Sequence, residues 1–166
     1  NHTWDHPHLT TFAENKLQET RPEVTREFLQ DELRKTAAAF MAATGQQMAP
    51  YWRAPYGEQN QEIREWAAEL GYQHVEWTLG RDWKSTMDTM DWVADTTSPA
   101  YRSADEILDK ILNYGNGSNH GANGCIVLMH LGTLRNGDFP HKKLPQIIDG
   151  LQARGYELVT ITELLK

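Results

Sequence analysis

Gly124-Cys125-Ile126-Val127-Leu128-Met129-His130 holds an unbroken apolar run rich in branched residues and closes on an imidazole. The run reads as a strand, and it is far too short to cross a bilayer. Working outward, a helix is expected on each side. Ser103-Ala-Asp-Glu106 is a capping box opening a helix through Ile107 and Ile111 to Gly115. Downstream, Leu144, Ile147, Ile148 and Leu151 share one helical face, stopped at Gly155. Tyr156 to Ile161 then reads as a strand, and Thr160 and Glu163 fit a last capped turn. Upstream, Thr20-Arg-Pro-Glu23 is a second capping box, with Val24, Phe28, Leu33, Ala37 and Phe40 as the apolar stripe and Gly45 as the stop. Asn60 caps another helix, with Ile63, Trp66, Ala67 and Leu70 inward and Gly71 after it. Met48 to Arg53 and Gln73 to Leu79 are strand-like.

Strand and helix therefore alternate, which predicts an α/β fold of parallel strands with helices packed outside. A barrel and a doubly wound sheet both satisfy the pattern. In either, reactive groups collect at the C-terminal ends of strands. Arg53 and His130 end two of them, and the residues after Leu79 follow a third. Gly115 to Gly124 is a loop rich in Gly and Asn, and Arg81 to Arg102 has no clean period and reads as a surface excursion.

At 166 residues one domain, 1–166, is expected. The formal charge is −7 and no basic stripe is present, which argues against a nucleic-acid partner. No stretch is apolar and long enough for a transmembrane helix. The one cysteine, Cys125, cannot form an intrachain disulfide and reads as buried filler. Trp77 reads as packing.

His2 and His6 stand four apart in Asn1-His-Thr-Trp-Asp-His6, a spacing at which two imidazoles can face one ion. A catalytic zinc takes three protein ligands and keeps one position open, so a third ligand must come from elsewhere. The chain begins one residue before His2, and the expectation is that its beginning has been lost. His8 reads as a surface residue rather than a ligand, and His74, His120 and His141 as surface groups or structural hydrogen-bonders.

Four segments together resemble the NodB-type polysaccharide deacetylases of carbohydrate esterase family 4. They are His2-Thr-Trp-Asp-His6-Pro7, Arg53-Ala-Pro55-Tyr56-Gly57, Asp88-Thr-Met-Asp91-Trp92 and Leu128-Met-His130. The closing Gly155-Tyr-Glu-Leu-Val-Thr-Ile-Thr-Glu-Leu is also similar to the end of such domains. The family's Thr-Phe-Asp-Asp motif is absent; no two adjacent aspartates occur in the chain. The resemblance implies a distorted (β/α) barrel whose N-terminal strand or strands lie outside this chain. It also implies that the catalytic base and the third ligand, both aspartates, lie upstream.

The resemblance further implies a divalent metal ion, most simply zinc, held by His2 and His6. Arg53 would orient the base, the backbone amide of Tyr56 would face the oxyanion, and His130 would protonate the leaving amine. Asp88 is the carboxylate expected beside His130, raising its pKa. Asp82, with Trp83, is the alternative counterpart. Trp92, Leu128 and Pro55 would shape the acetyl pocket. The implied reaction removes N-acetyl groups from an N-acetylglucosamine polysaccharide outside the cytoplasm, at the cell envelope or beyond it. Hydrolysis of an acetyl ester such as acetylxylan, and a catalytically silent carbohydrate-binding relative, remain open. The N-terminal fragment is an implied partner, and these 166 residues alone are expected to be inactive and poorly soluble, with an open sheet edge.

Overall fold

The computed structural model describes residues 1–166, which form two compact units, Asn1–Glu76 and Trp77–Lys166.

In the first unit, α1 (Phe12–Asn15) is a single turn and α2 (Arg26–Thr44) is the long helix. β1 (Tyr51–Trp52) pairs in parallel with β2 (Gln73–His74), joined across α3 (Gln61–Ala68). This is a βαβ crossover, as the alternation predicts. The amide of Val75 donates to Trp52 O, carrying the pairing one residue further. On the other side of β1, the Asn1 nitrogen donates to Tyr51 O (2.8 Å) and Arg53 N–H donates to Asn1 O (3.0 Å). Asn1 thus runs parallel to β1, which places His2 and Arg53 together at one end. Leu9, Val24, Leu29, Leu33, Trp52, Ala54, Ile63 and Ala67 form the core between helices and strands.

Two helix expectations shift here. Helix α2 starts not at Thr20 but at Thr25, whose hydroxyl accepts from Phe28 N–H. Thr20 is taken instead by a bridge to Thr10 and by a hydrogen bond to Glu62. The buried face of α2 follows Leu29 and Leu33, and Phe28 is turned out. Helix α3 matches its reading, with the Asn60 side chain accepting from Ile63 N–H and Gly71 at φ 82° after it.

The second unit contains α4 (Ala104–Asn113), α5 (Leu144–Gln152) and α6 (Ile161–Leu164). The capping boxes at Ser103/Glu106 and Thr160/Glu163 both form. Ile107 and Ile111 of α4 pack on Ile147 and Leu151 of α5. Leu144 and Ile148, expected inward, are 40% and 39% exposed. Gly124 closes a turn at φ 75°, and Cys125 to His130 makes only one bridge, Leu128 to Asp88, parallel. Its backbone partners are Thr78, in the strand-like run Gln73 to Leu79, and Met87 and Thr89, in the excursion after Arg81, so the two share the place of a regular neighbouring strand. Tyr156 to Thr160 is extended without ladder bonds and is not a strand. Cys125 is only half-buried. No helix is long and apolar enough to cross a membrane.

Candidate active site

In the first unit the histidine motif is a loop rather than a helical turn. Thr3 and His6 both take positive φ, 63° and 54°, which costs a non-glycine residue roughly 1–3 kcal/mol each. The rings of His2 and His6 meet edge to face at 4.9 Å between centroids. His2 Nδ1–H donates to Arg53 O at 2.7 Å. That bond fixes the neutral tautomer and leaves Nε2 as the lone-pair nitrogen, the arrangement in which histidine serves as a metal ligand. Burial lowers the pKa of His2 to about 4, helped by the charges of Arg53 and His6 and opposed by the bond to Arg53 O. The ring is therefore uncharged near neutrality.

Pro55–Gly57 is a 3-10 turn in which Tyr56 takes φ 58°. Gly57 N–H donates to Ala54 O and Glu58 N–H to Pro55 O; the Tyr56 amide donates to neither a backbone nor a side-chain acceptor. Its ring is exposed, stacks on His8 (4.0 Å, 10° between planes) and meets His6 edge-on at 4.6 Å. His8, expected to be a surface residue, donates Nδ1–H to Glu58 Oε1 at 2.7 Å. Pro55 is buried beneath the turn. The charge of Arg53 acts on His2, His74 and Glu76.

In the second unit His130 pairs with Asp91, not with Asp88 or Asp82. The ring Nδ1–H donates to Asp91 Oδ1 and the backbone N–H to Asp91 Oδ2, both at 2.7 Å. Asp91 is 1% exposed. Burial alone would raise its pKa, but the bonds from His130, the charge of its ring and a bond from Thr89 outweigh it and hold the carboxyl below its ordinary value. Asp88 is spent locally. Its Oδ1 accepts from Met90 N–H (2.9 Å), and Met90 then takes φ 55°, which turns the chain so that Asp91 enters the interior. Lys110 from α4 pins the turn through Asp88 O (2.8 Å) while lying over the Trp83 ring at 3.4 Å. Asp82 is an exposed turn carboxylate that accepts from Lys84 and Ser85. Leu128 is buried and Trp92 is half-exposed.

No group of three or more His, Cys, Asp or Glu side chains suited to a metal ion is present in residues 1–166. His2 and His6 offer two donors of the right chemistry, and no third donor completes them.

The family model for polysaccharide deacetylases matches residues 1–75. The chain belongs to the polysaccharide deacetylase family. A chitin deacetylase of Amylomyces rouxii is 35% identical over 130 residues, 78% of this chain and 25% of that protein. A bifunctional xylanase/xylan deacetylase of Cellvibrio japonicus is 28% identical over 155 residues, 93% of this chain and 18% of that protein. A solved peptidoglycan N-acetylglucosamine deacetylase superposes with a TM-score of 0.69 at 23% identity, covering 99% of this chain and 61% of that one. The chain thus spans about a quarter or less of these two curated relatives. Its α/β fold is part of the fold that this solved deacetylase has.

Proposed function

We propose that the protein carrying this chain is a metal-dependent hydrolase that removes N-acetyl groups from an N-acetylglucosamine polysaccharide, chitin-like or peptidoglycan. The observation that carries the proposal is the doubly bonded pair of His130 and the buried Asp91, an imidazole fixed at Nδ1 by a carboxylate. A histidine so held presents Nε2 for proton transfer, and hydrolysing an amide requires that the leaving nitrogen be protonated. A divalent ion, zinc in the simplest case, would supply a polarised carbonyl and an activated water. His2 and His6 are its ligands from this chain, and an aspartate outside residues 1–166 is the third. Arg53 orients the aspartate base, also outside these residues, through a charge-assisted pair. The Tyr56 amide donates to the developing oxyanion; removing one such donor costs roughly 3 kcal/mol in comparable sites. Leu128 and Trp92 in the second unit, and Pro55 in the first, are the residues we assign to the acetyl group. The partners are the polysaccharide and the remainder of the same protein, and the setting is the cell envelope or outside it.

The test is acetate release from N-acetylglucosamine oligomers by the full-length protein, with and without a chelator. Release that stops on chelation and returns with zinc is expected. A folded, zinc-loaded protein that frees no acetate from any acetylated sugar overturns the proposal. The xylan deacetylase relative supports a second reading, ester cleavage on acetylated xylan. A higher kcat/KM on acetylxylan than on the amide oligomers selects it.

A further inference from the structure

The loop that carries His2 and His6 is gripped at both ends by buried carboxylates that no step of the proposed reaction uses. Glu32, from α2, is 2% exposed, and its Oε2 accepts the consecutive amides of Trp4 (3.0 Å) and Asp5 (2.7 Å). Glu58, after the Tyr56 turn, is 1% exposed, and its Oε2 accepts the consecutive amides of Leu9 (2.9 Å) and Thr10 (3.1 Å) while Oε1 takes His8 Nδ1–H. Two successive amides converging on one oxygen form an anion-receiving concavity. Here each concavity is filled from within the chain. A buried carboxylate is costly unless fully hydrogen-bonded, so the two carboxylates and the loop hold each other in place.

The residues that need holding lie between the two grips. Thr3 and His6 sit at positive φ, a conformation a free loop would leave. Asn1 adds a third tether: its side-chain amide donates to Leu33 O and its Oδ1 accepts from Thr3 N–H. The outcome is a pair of imidazoles 4.9 Å apart.

We propose that Glu32 and Glu58 are positioning residues for the His2–His6 pair, holding their loop in its ion-receiving shape before the ion arrives. The proposal rests on the metal reading above. Preorganisation converts directly into affinity, because ordering the loop is no longer charged against binding. Removing partners one shell out from a metal typically costs about 10- to 100-fold in affinity.

The experiment has two readouts on the full-length protein. Without metal, amide hydrogen exchange at Trp4 and Asp5 is slow in the parent and accelerates in Glu32→Gln; Leu9 and Thr10 behave likewise in Glu58→Gln. With cobalt(II) as probe, competition against a chromophoric chelator gives an affinity about 10-fold or more weaker in each variant. Thr3→Gly, which relieves one positive-φ position, recovers part of the loss in the Glu32→Gln background. A purely structural role would lower the melting temperature of the variants and leave the cobalt affinity of the folded protein unchanged. Should Glu32→Gln fail to fold, Glu32→Asp, which keeps the charge and shortens the reach, carries the same measurements. Folded variants with parental cobalt affinity overturn the proposal, as does fast exchange at Trp4 and Asp5 in the parent. A parent that protects these amides yet binds no cobalt overturns the metal reading instead, which keeps the two failures apart.

Discussion

His130 gives both of its N–H donors nearest the backbone, ring and amide, to the two oxygens of one buried carboxylate, that of Asp91. A bidentate grip of this kind fixes ring rotation and tautomer together. Asp91→Asn cannot accept with the same charge and presents an amide where an acceptor is needed. We expect kcat/KM to fall by about 100-fold or more, as when the orienting carboxylate of a catalytic histidine is neutralised. Asp88→Asn keeps the oxygen that caps Met90 in its half-buried turn and should stay within about threefold of the parent. Steady-state acetate release from both variants decides between the two aspartates.

Much of this was legible in the chain and some was not, for identifiable reasons. The helix ends were readable wherever a cap lay beside the stripe, as at Asn60, Ser103 and Thr160. Thr20 misled because a capping box is a pattern of two residues, and here an antiparallel bridge to Thr10 claimed the first. The strand-like runs were correct as extended segments and wrong in length, because ladder bonds depend on neighbours that a single run does not reveal. The expectation of Asp88, with Asp82 as the alternative, beside His130 failed for a local reason. Two aspartates three apart look alike in sequence, and only the turn at Met90 sends one inward and caps the other. Glu32 and Glu58 were not singled out at all. Nothing in a lone glutamate on an amphipathic helix, or after a Pro-Tyr-Gly turn, announces that backbone amides will converge on it.

The His2–His6 pair predicts a divalent ion bound to the full-length protein. His2→Ala and His6→Ala should each weaken cobalt(II) or zinc affinity by more than about 100-fold, beyond what outer partners alone cost. Because His2 is neutral near pH 7, no proton need leave it on binding at that pH. Metal content after gel filtration, measured by atomic emission, checks this. Ion content unchanged in both variants would remove the pair from the site.

Tyr56 is assigned its role through its backbone, which separates its amide from its ring. The hydroxyl makes no hydrogen bond, and the ring contributes stacking on His8 and an edge contact with His6. Tyr56→Phe should therefore leave kcat within about twofold, whereas Tyr56→Val should lower stability, because a β-branched side chain is strained at φ 58°. Thermal melts and steady-state rates on the two variants test the separation, and a large loss in Tyr56→Phe would move the role to the hydroxyl.

His74 predicts an acid limb in the stability curve. Its ring lies edge-on to Trp52 at 5.0 Å, its side chain is 8% exposed, and Nε2 accepts from Ala54 N–H at 3.4 Å. Burial, with the charges of Arg64 and Arg53, lowers its pKa from 6.5 to about 4. The unfolded chain therefore takes up a proton below 6.5 that the folded chain refuses until about 4. Stability from this group is full above 6.5 and is lost progressively as the pH falls toward 4. Going from pH 7 to pH 5 should cost about 2 kcal/mol from His74 alone. His2 acts in the same direction, and Glu76, whose carboxyl burial raises, acts in the opposite one. His74→Gln keeps an acceptor for Ala54 N–H but cannot be protonated. Urea unfolding at both pH values should show that variant losing less stability than the parent on acidification, by roughly the same 2 kcal/mol. Equal losses in the two proteins would mean that the ring is charged in the fold, against the burial and the hydrogen bond it accepts.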